Sequence, residues 1–576
     1  MKIVLTAINA KYIHSNLALR NFIAYTADCR EHLVLKEYTI NHAPDQILQG
    51  IYREHPDVLC ISCYIWNISY VETLVSEFHK LLPDVPIWLG GPEVSFETEA
   101  FLAAHPSVTG VMYGEGEHTF AALARHYIYG SPEHLEEISG LFFHRDNDVI
   151  QTGETIPLPL DQIPFCYDTT DDLAHRIVYY ESSRGCPFRC SYCLSSLEKT
   201  LRFRSLELVK QELSYFVEQE IPQVKFVDRT FNCNHEHAMA IWRYIKEIDR
   251  GKTNFHFEIS ADLLREDELE LLATLRPGLI QLEIGVQSTN PATIHEIHRR
   301  MDLPRLKAVV TRIHQWGNIH MHLDLIAGLP FEAYDTFARS FDEIFSLRPS
   351  QLQLGFLKVL KGSYMHDHAA EYGILYHERA PYEVLSTKWL SYDDILRIKR
   401  VEEMLEVYYN SFQYALTMKL LMLLYPSSFA FFQRLGDYYD KKNLFACSHS
   451  RLARCEILLD FLHEELCRCE ISALTADLLP MIREALTYDL YARENCKRRP
   501  DWAIDLSHYK QEIRTLNPEN KGSLRHTEVF HYPFPLLDSE PVTTLPTFRE
   551  APYFYRFNYE TRDPLTYQAS IELLSL

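Results

Sequence analysis

Two long stretches of this 576-residue chain alternate short, β-branched apolar runs with amphipathic helical segments, a rhythm that few folds satisfy. In residues 1–130 the runs are Lys2–Ala7, His32–Tyr38, Asp57–Cys63, Pro86–Gly90 and Val108–Tyr113, with helical patterns near 14–27, 44–54, 68–80, 95–104 and 117–128. This predicts an α/β fold: a doubly wound, Rossmann-like N-terminal domain whose ligands bind at the carboxyl ends of the strands. Those ends carry Asn9 to Tyr12, Ser62 to Asn67, Gly90-Gly91-Pro92-Glu93 and Gly114-Glu115-Gly116-Glu117. From 176 to about 360 the alternation returns, at Arg176–Glu181, Gln223–Asp228, Phe255–Ser260, Leu279–Gly285, Ile319–Ile326 and Gln351–Leu357. Six such strands predict a partial TIM-type (βα)6 barrel, with its chemistry in the carboxyl-end loops.

The remaining segments read differently. Residues 131–172 are expected to be a linker with a small hairpin, Ile138–His144 and Val149–Gln151, followed by the Pro-rich run Ile156–Asp161. The barrel is expected to span 173–375 and a mostly α-helical C-terminal domain 376–576. Ser391 to Asp394 resembles a capping box ahead of a stripe at Ile395, Ile398, Leu405, Tyr408 and Phe412. Further helices are expected near 451–469 and 473–493, and an irregular tail from 525. A net charge of −22 argues against a nucleic-acid backbone as the main partner. No stretch reaches the roughly 18 apolar residues of a membrane helix. Met1–Asn9 reads as a buried strand rather than a leader, so the expected location is cytoplasmic.

Directly after the first barrel strand stand Cys186, Cys190 and Cys193, spaced C-x3-C-x2-C. Thiols so close in a reducing compartment point to a metal centre. An iron–sulfur cube normally takes four thiolates, so three in one loop leave an iron open. A zinc site completed by Cys233 or His235 is the structural alternative. The other ten of the 13 cysteines read as core thiols.

With Tyr192 before the last cysteine, this segment resembles the radical S-adenosylmethionine enzymes. The resemblance implies a 4Fe-4S cluster on Cys186, Cys190 and Cys193, with the methionyl group of S-adenosylmethionine chelating the fourth iron. Phe226–Phe231 matches the place where relatives hold that methionyl end, so Asp228 is implied there. Phe257–Asp262 resembles the segment that reaches the ribose, implicating Glu258 and Ser260. Leu282–Ser288 and His322–Pro330 resemble the fourth- and fifth-strand signatures, which adds Gln287 and puts Ile326 and Gly328 beside the adenine. An electron donor such as flavodoxin or ferredoxin is implied as partner.

The front domain resembles the cobalamin-binding domain of a large radical subclass, through Ser62, Gly90, Gly91, Gly114, Glu115 and Gly116. It lacks Asp-x-His-x-x-Gly, and His14 does not fit that motif, which leaves the lower cobalt ligand unassigned. A dinucleotide is disfavoured, since Gly114-x-Gly116 lacks the third glycine and Glu115 and Glu117 would repel a pyrophosphate. A methylthiotransferase would need a second cluster, yet Cys60 and Cys63 fall on opposite faces of one strand. The implied chemistry is reductive cleavage of S-adenosylmethionine to a 5′-deoxyadenosyl radical, followed by methyl transfer from methylcobalamin to an unactivated carbon. Cyclisation or oxidative rearrangement with the same parts, a methylthiotransferase, and a non-catalytic metal-binding protein are the alternatives. The substrate, small molecule or peptide, is not named by these residues.

Overall fold

The computed structural model describes every residue except 131–133, 147, 168–172, 174–175, 199, 469–477, 518–524, 536–543, 564–565 and 576. The front sheet is built from β1 (Ile3–Asn9), β2 (Leu33–Thr39), β3 (Val58–Ser62), β4 (Ile87–Gly90), β5 (Gly110–Met112), β6 (Leu141–Arg145) and β7 (Asp148–Gln151). Their order is β2-β1-β3-β4-β5-β6-β7. The first five run parallel, as the alternation predicts. The hairpin expected inside the linker instead extends this sheet, with β6 antiparallel to β5. Every side chain of β1 is buried, as a strand sandwiched between two helical layers requires. Cys60 and Cys63 join the cores on opposite sides of the sheet.

The second sheet contains β8 (Val178–Tyr180), followed by the short ribbon β9 (Ser183–Arg184) and β10 (Arg202–Phe203), then β11 (Gln223–Phe226), β12 (Asn254–Ile259), β13 (Ile280–Gln287), β14 (His320–Ala327) and β15 (Gln351–Phe356). Six of these pair in parallel, in the order β8-β11-β12-β13-β14-β15, giving the partial barrel. Along β14, Met321, Leu323, Leu325 and Ala327 are buried, while His320, His322, Asp324 and Ile326 alternate on the half-buried face. The apolar face meets the surrounding helices, where Phe226, Phe231, Trp242 and Phe257 form one aromatic cluster with Phe231 and Phe257 centroids 4.3 Å apart. The free edge at β8 is covered by the front domain. Ile177 N–H donates to the Ile13 carbonyl at 2.6 Å, and Ser15 Oγ donates to the Ile177 carbonyl at 3.0 Å.

Beyond the barrel come β16 (Leu375–Tyr376) and β17 (Val384–Ser386), then helices. Ser391 caps Tyr392–Leu405, and Ile395, Ile398, Leu405 and Tyr408 are buried as the stripe predicts. Phe412 leaves that stripe. The helix passes through a π turn at Glu406–Asn410 and ends before Phe412, whose φ is 56°. Helices run Arg451–Arg468 and Leu478–Arg493, while the expected end at 469 and start at 473 lie outside the described residues. Three segments of the tail are strands, where an irregular tail is expected. β18 (Arg525–Phe530), β19 (Tyr553–Arg562) and β20 (Ala569–Leu574) form an antiparallel sheet that packs on Tyr488 and Tyr491.

Two outcomes test this packing. Phe257→Ala should lower unfolding stability by about 3–5 kcal/mol, read from denaturant midpoints. Glu332 is fully buried beneath Ser288 Oγ (2.7 Å) and Ser340 Oγ (3.0 Å), and burial lifts its carboxyl to about 7. A carboxyl raised on folding keeps its proton longer in the folded chain, so its stabilisation is lost as pH rises from about 4.5 to about 7. Over that window the Glu332→Gln protein should show a flatter midpoint profile than the wild type.

Candidate cluster and cofactor site

The cysteine triplet occupies the loop between β9 and β10, whose pairing of Arg184 with Arg202 and Ser183 with Phe203 draws the loop ends together. Gly185 opens the loop at φ 101°, and a Cβ there would lie 2.5 Å from the Thr200 carbonyl oxygen. No side chain fits. Inside the loop, Cys193 N–H donates to the Cys190 carbonyl at 3.1 Å. Ser191 N–H donates to the Ile297 carbonyl at 3.0 Å, and Met365 N–H donates to the Ser191 carbonyl at 2.9 Å. Cys190 is buried, and Cys186 and Cys193 are half-buried. Thr230 Oγ1 lies 3.7 Å from Cys186 Sγ. The Arg299 guanidinium donates to Cys190 Sγ at 3.8 Å, to the Tyr192 hydroxyl at 3.4 Å and to the Gly285 carbonyl. Burial pushes the Cys190 thiol up and Arg299 opposes it, while an iron ligand would lose the proton outright.

Among the described residues, no three His, Cys, Asp or Glu side chains converge as a single-ion site. Three thiols on one pinched loop, each free to take a separate iron, suit a cluster, and the buried guanidinium beside Cys190 offsets thiolate charge. The residues present therefore fit the group.

The other implied residues divide into two groups. Within the barrel, Glu258 faces Lys225 at 3.9 Å, and burial with the neighbouring Glu283 raises its carboxyl to about 7. Gln287 ends β13 at φ 75°, and its side-chain carbonyl is buried without a hydrogen-bond partner, as is Arg299 Nε, while Asp324 Oδ1 meets only His322 Nε2, at 3.4 Å. Ile326 lies on the half-buried face of β14. Asp228 is placed otherwise than the resemblance implies. It is fully buried and accepts from Ser182 N–H at 2.9 Å and from the Ser182 and Ser183 hydroxyls at 2.6 Å each. Burial raises it to about 6, against those bonds. Ser260 Oγ donates to Asp262 at 2.7 Å. Gly328 stands at φ 93°, and a Cβ there would lie 2.7 Å from Val384 Cγ1.

Ser62, Gly90, Gly91, Gly114, Glu115 and Gly116 all line one cavity of about 810 Å³ at the carboxyl ends of the front strands. Gly185, Leu194, Ser195, Leu197, Val227 and Arg229, on and beside the cluster loop, line its other side. Ser62 Oγ accepts from Asn16 Nδ2 at 3.2 Å. Glu115 is already paired, with Arg202 and, at 3.0 Å, with Arg184. Gly114 and Gly116 abut Thr155 and Phe22. His14 lines the cavity too, with Nδ1 hydrogen-bonded to the Tyr179 hydroxyl. Arg184, Thr230 and Arg299 escaped the sequence reading, because Glu117, Cys186 and Cys190, which they meet, come from distant segments and leave no local pattern.

Residues 3–124 match the profile of the B12 binding domain and residues 180–344 that of the radical SAM superfamily. The chain thus carries a B12-binding domain followed by a radical SAM domain. Its cofactors are those of the two domains, cobalamin and S-adenosylmethionine with a 4Fe-4S cluster. Residues 370–530 match a profile described as a protein of unknown function, DUF4080. The chain is 27% identical over 314 residues to the uncharacterized methyltransferase PH0819 of Pyrococcus horikoshii, covering 51% of this chain and 67% of that relative. It is 25% identical over 305 residues to the cobalamin-dependent radical SAM methyltransferase TokK of Streptomyces tokunonensis, covering 50% of this chain and 44% of TokK. The fold resembles that of the methyltransferase TsrM from Kitasatospora setae with cobalamin and a [4Fe-4S] cluster bound. There the TM-score is 0.53 at 16% identity, over 64% of this chain and 78% of TsrM.

Gly185→Ala should cost about 1–3 kcal/mol locally and lower iron retained per chain after anaerobic reconstitution. Iron and sulfide analysis checks this, with Gly251→Ala, which meets nothing within 4 Å, as the control for φ strain alone.

Proposed function

We propose that this radical SAM protein transfers a methyl group to an unactivated carbon. The observation that carries the reading is the shared cavity: the carboxyl ends of the front strands and the cluster loop open onto the same space of about 810 Å³. The relatives PH0819 and TokK are methyltransferases by name, which supports the same reading. When bound, the cluster supplies the electron that cleaves S-adenosylmethionine, and cobalamin carries the methyl group.

The chain's own residues then have distinct tasks. Cys186, Cys190 and Cys193 hold the cluster, Arg299 offsets thiolate charge, and Gln287, Glu258 and Ile326 face the nucleoside from the barrel. Asp228 acts by position, fixing Ser182 and Ser183 at the entrance to the cluster loop. Leu194, Leu197, Tyr64 and Trp66 supply apolar wall that limits water, and Tyr64 and Trp66 stack at 4.4 Å. A reduced flavodoxin or ferredoxin delivers the electron.

Anaerobically reconstituted protein with S-adenosylmethionine and a strong reductant should release 5′-deoxyadenosine, and Cys186→Ala should abolish this. With methyl-deuterated S-adenosylmethionine and cell extract as substrate source, label should appear in a carbon-bound methyl group. Deoxyadenosine without labelled product would point instead to ring closure or oxidation with the same parts.

A further inference from the structure

The cysteine loop has two sides. Gly185, Leu194, Ser195 and Leu197 line the cavity shared with the front strands, whereas Pro187 and Arg189 are exposed. Two other segments are tied to the loop. Ser191 N–H donates to the Ile297 carbonyl, Met365 N–H donates to the Ser191 carbonyl, and Arg299 reaches Cys190 Sγ. Residues 187–189, 298–300 and 364–368 therefore gather around the loop. They carry three arginines and three histidines against one carboxylate, Asp367, in a chain whose 79 acidic residues outnumber its 57 lysines and arginines. Arg189 and Arg300 adjoin the contacting pair Cys190 and Arg299, and both are exposed. Among the described residues neither makes a hydrogen bond or an ion pair. The nearby carboxylates are engaged, Asp367 by His366 Nδ1 at 3.3 Å and Glu296 by the Tyr372 hydroxyl at 2.6 Å. Tyr364, 38% exposed, stands among these groups, with its ring stacked 3.7 Å from that of His368 and 5.2 Å from that of His298.

An exposed aromatic ring flanked by unpaired guanidinium groups suits an acidic protein partner. Complementary charge steers the encounter, and the aromatic centre supplies the apolar contact. Electron transfer slows steeply with distance, so a carrier protein has to dock where the cluster comes nearest to the surface. The cavity side of the loop is walled by the front domain, which leaves the side of Arg189, Arg300 and Tyr364. We propose that this face docks an acidic flavodoxin, with the edge of the flavin against Tyr364 and surface carboxylates on Arg189 and Arg300. The proposal rests on the reading of the triplet as a cluster that is reduced before S-adenosylmethionine is cleaved. One electron leaves the partner's anionic flavin hydroquinone and lowers the cluster charge by one, and no proton is transferred. The aromatic centre is what favours a flavin edge over a carrier that offers carboxylates alone.

The test uses cluster-loaded full-length protein and a purified flavodoxin. Affinity for oxidised flavodoxin is read by anaerobic titration calorimetry at low salt, without turnover. The double variant Arg189→Glu/Arg300→Glu should weaken it by roughly tenfold to a hundredfold, and added salt should narrow the gap. Release of 5′-deoxyadenosine driven by reduced flavodoxin should fall in parallel. Release driven by the methyl viologen radical cation, which needs no docking face, should not fall. No binding of flavodoxin to the wild type, equal affinity in the variant, or an equal fall with both reductants overturns the assignment. So does a loss confined to reduced ferredoxin. If viologen-driven wild type releases no 5′-deoxyadenosine, the radical reading fails, and the calorimetric comparison still decides the docking face. Iron content and circular dichroism matching the wild type exclude misfolding. Should Arg189→Glu lose iron, Arg300→Glu alone, outside the loop, carries the same test with an effect of about threefold to tenfold.

Discussion

The Arg184 guanidinium joins the two halves of this protein at the place where the chemistry is prepared. It lies one residue before Gly185, where the cluster loop opens, and bonds Glu117 from the front helix Gly116–Tyr129 and Glu181 from the barrel. Glu115, capping that helix, reaches both Arg184 and Arg202, the two residues paired across the neck of the loop. Four of these groups are largely shielded from water, with side chains 5–17% exposed. Removing one partner of such a pair leaves an uncompensated charge and costs about 3–5 kcal/mol, far more than an exposed ion pair. The network is therefore a geometric clamp. Moving the front domain would move both strands that define the loop.

Inside the barrel the charges are arranged differently. Glu283 receives Lys225 at 2.9 Å and His256 at 3.0 Å; burial works against ionisation, yet these partners hold the carboxyl down to about 2. Its fixed negative charge, together with burial, pushes Glu258 and Asp324 upward. One ionised carboxylate thus opposes ionisation of its neighbours, the usual result when like charges share a poorly hydrated space. Burial alternates strictly along β13 and β14, and Glu283 and Asp324 lie on their half-buried face. A lumen filled by apolar layers would need branched side chains at those positions. Here they hold groups able to donate as well as accept.

The sheets were legible because their signal is local. Each barrel strand lies within about three residues of its expected bounds, since period-2 burial, flanking turns and helical spacing agree within every unit. The tail was misread through composition. Its prolines and aromatics resemble an irregular segment, yet Tyr553, Tyr555, Phe557 and Tyr559 repeat at period 2 along β19, a strand pattern. Phe412 matched the helical stripe in spacing, but the π turn before it shifts the phase and ends the helix. At the site, the triplet was readable because its thiols are neighbours in sequence. Arg299 was not, because it meets Cys190 only through folding. Asp228 fell between these cases: the strand end was found, but nothing local told an enclosed carboxylate from one facing the cavity.

The linker completes the argument about rigidity. A Pro-rich segment between domains ordinarily acts as a spacer. Here Leu158, Leu160 and Ile163 are buried against Tyr25, the Leu158 carbonyl accepts from Arg202 at 2.7 Å, and the Ile163 carbonyl accepts from Arg204 at 3.0 Å. Arg202 is the same residue that pairs with Arg184 and bonds Glu115, so linker, loop neck and front helix meet on one side chain. On the far side, the loop from Ile13 to Ser15 lies along the edge of β8, and Glu37 ties it down through Asn16 N–H at 2.8 Å and Arg176 at 2.9 Å. The cavity thus lies between two seams made of paired charges and backbone bonds. Its width is set by those contacts, and so is the separation of whatever the strand ends and the cluster loop each hold.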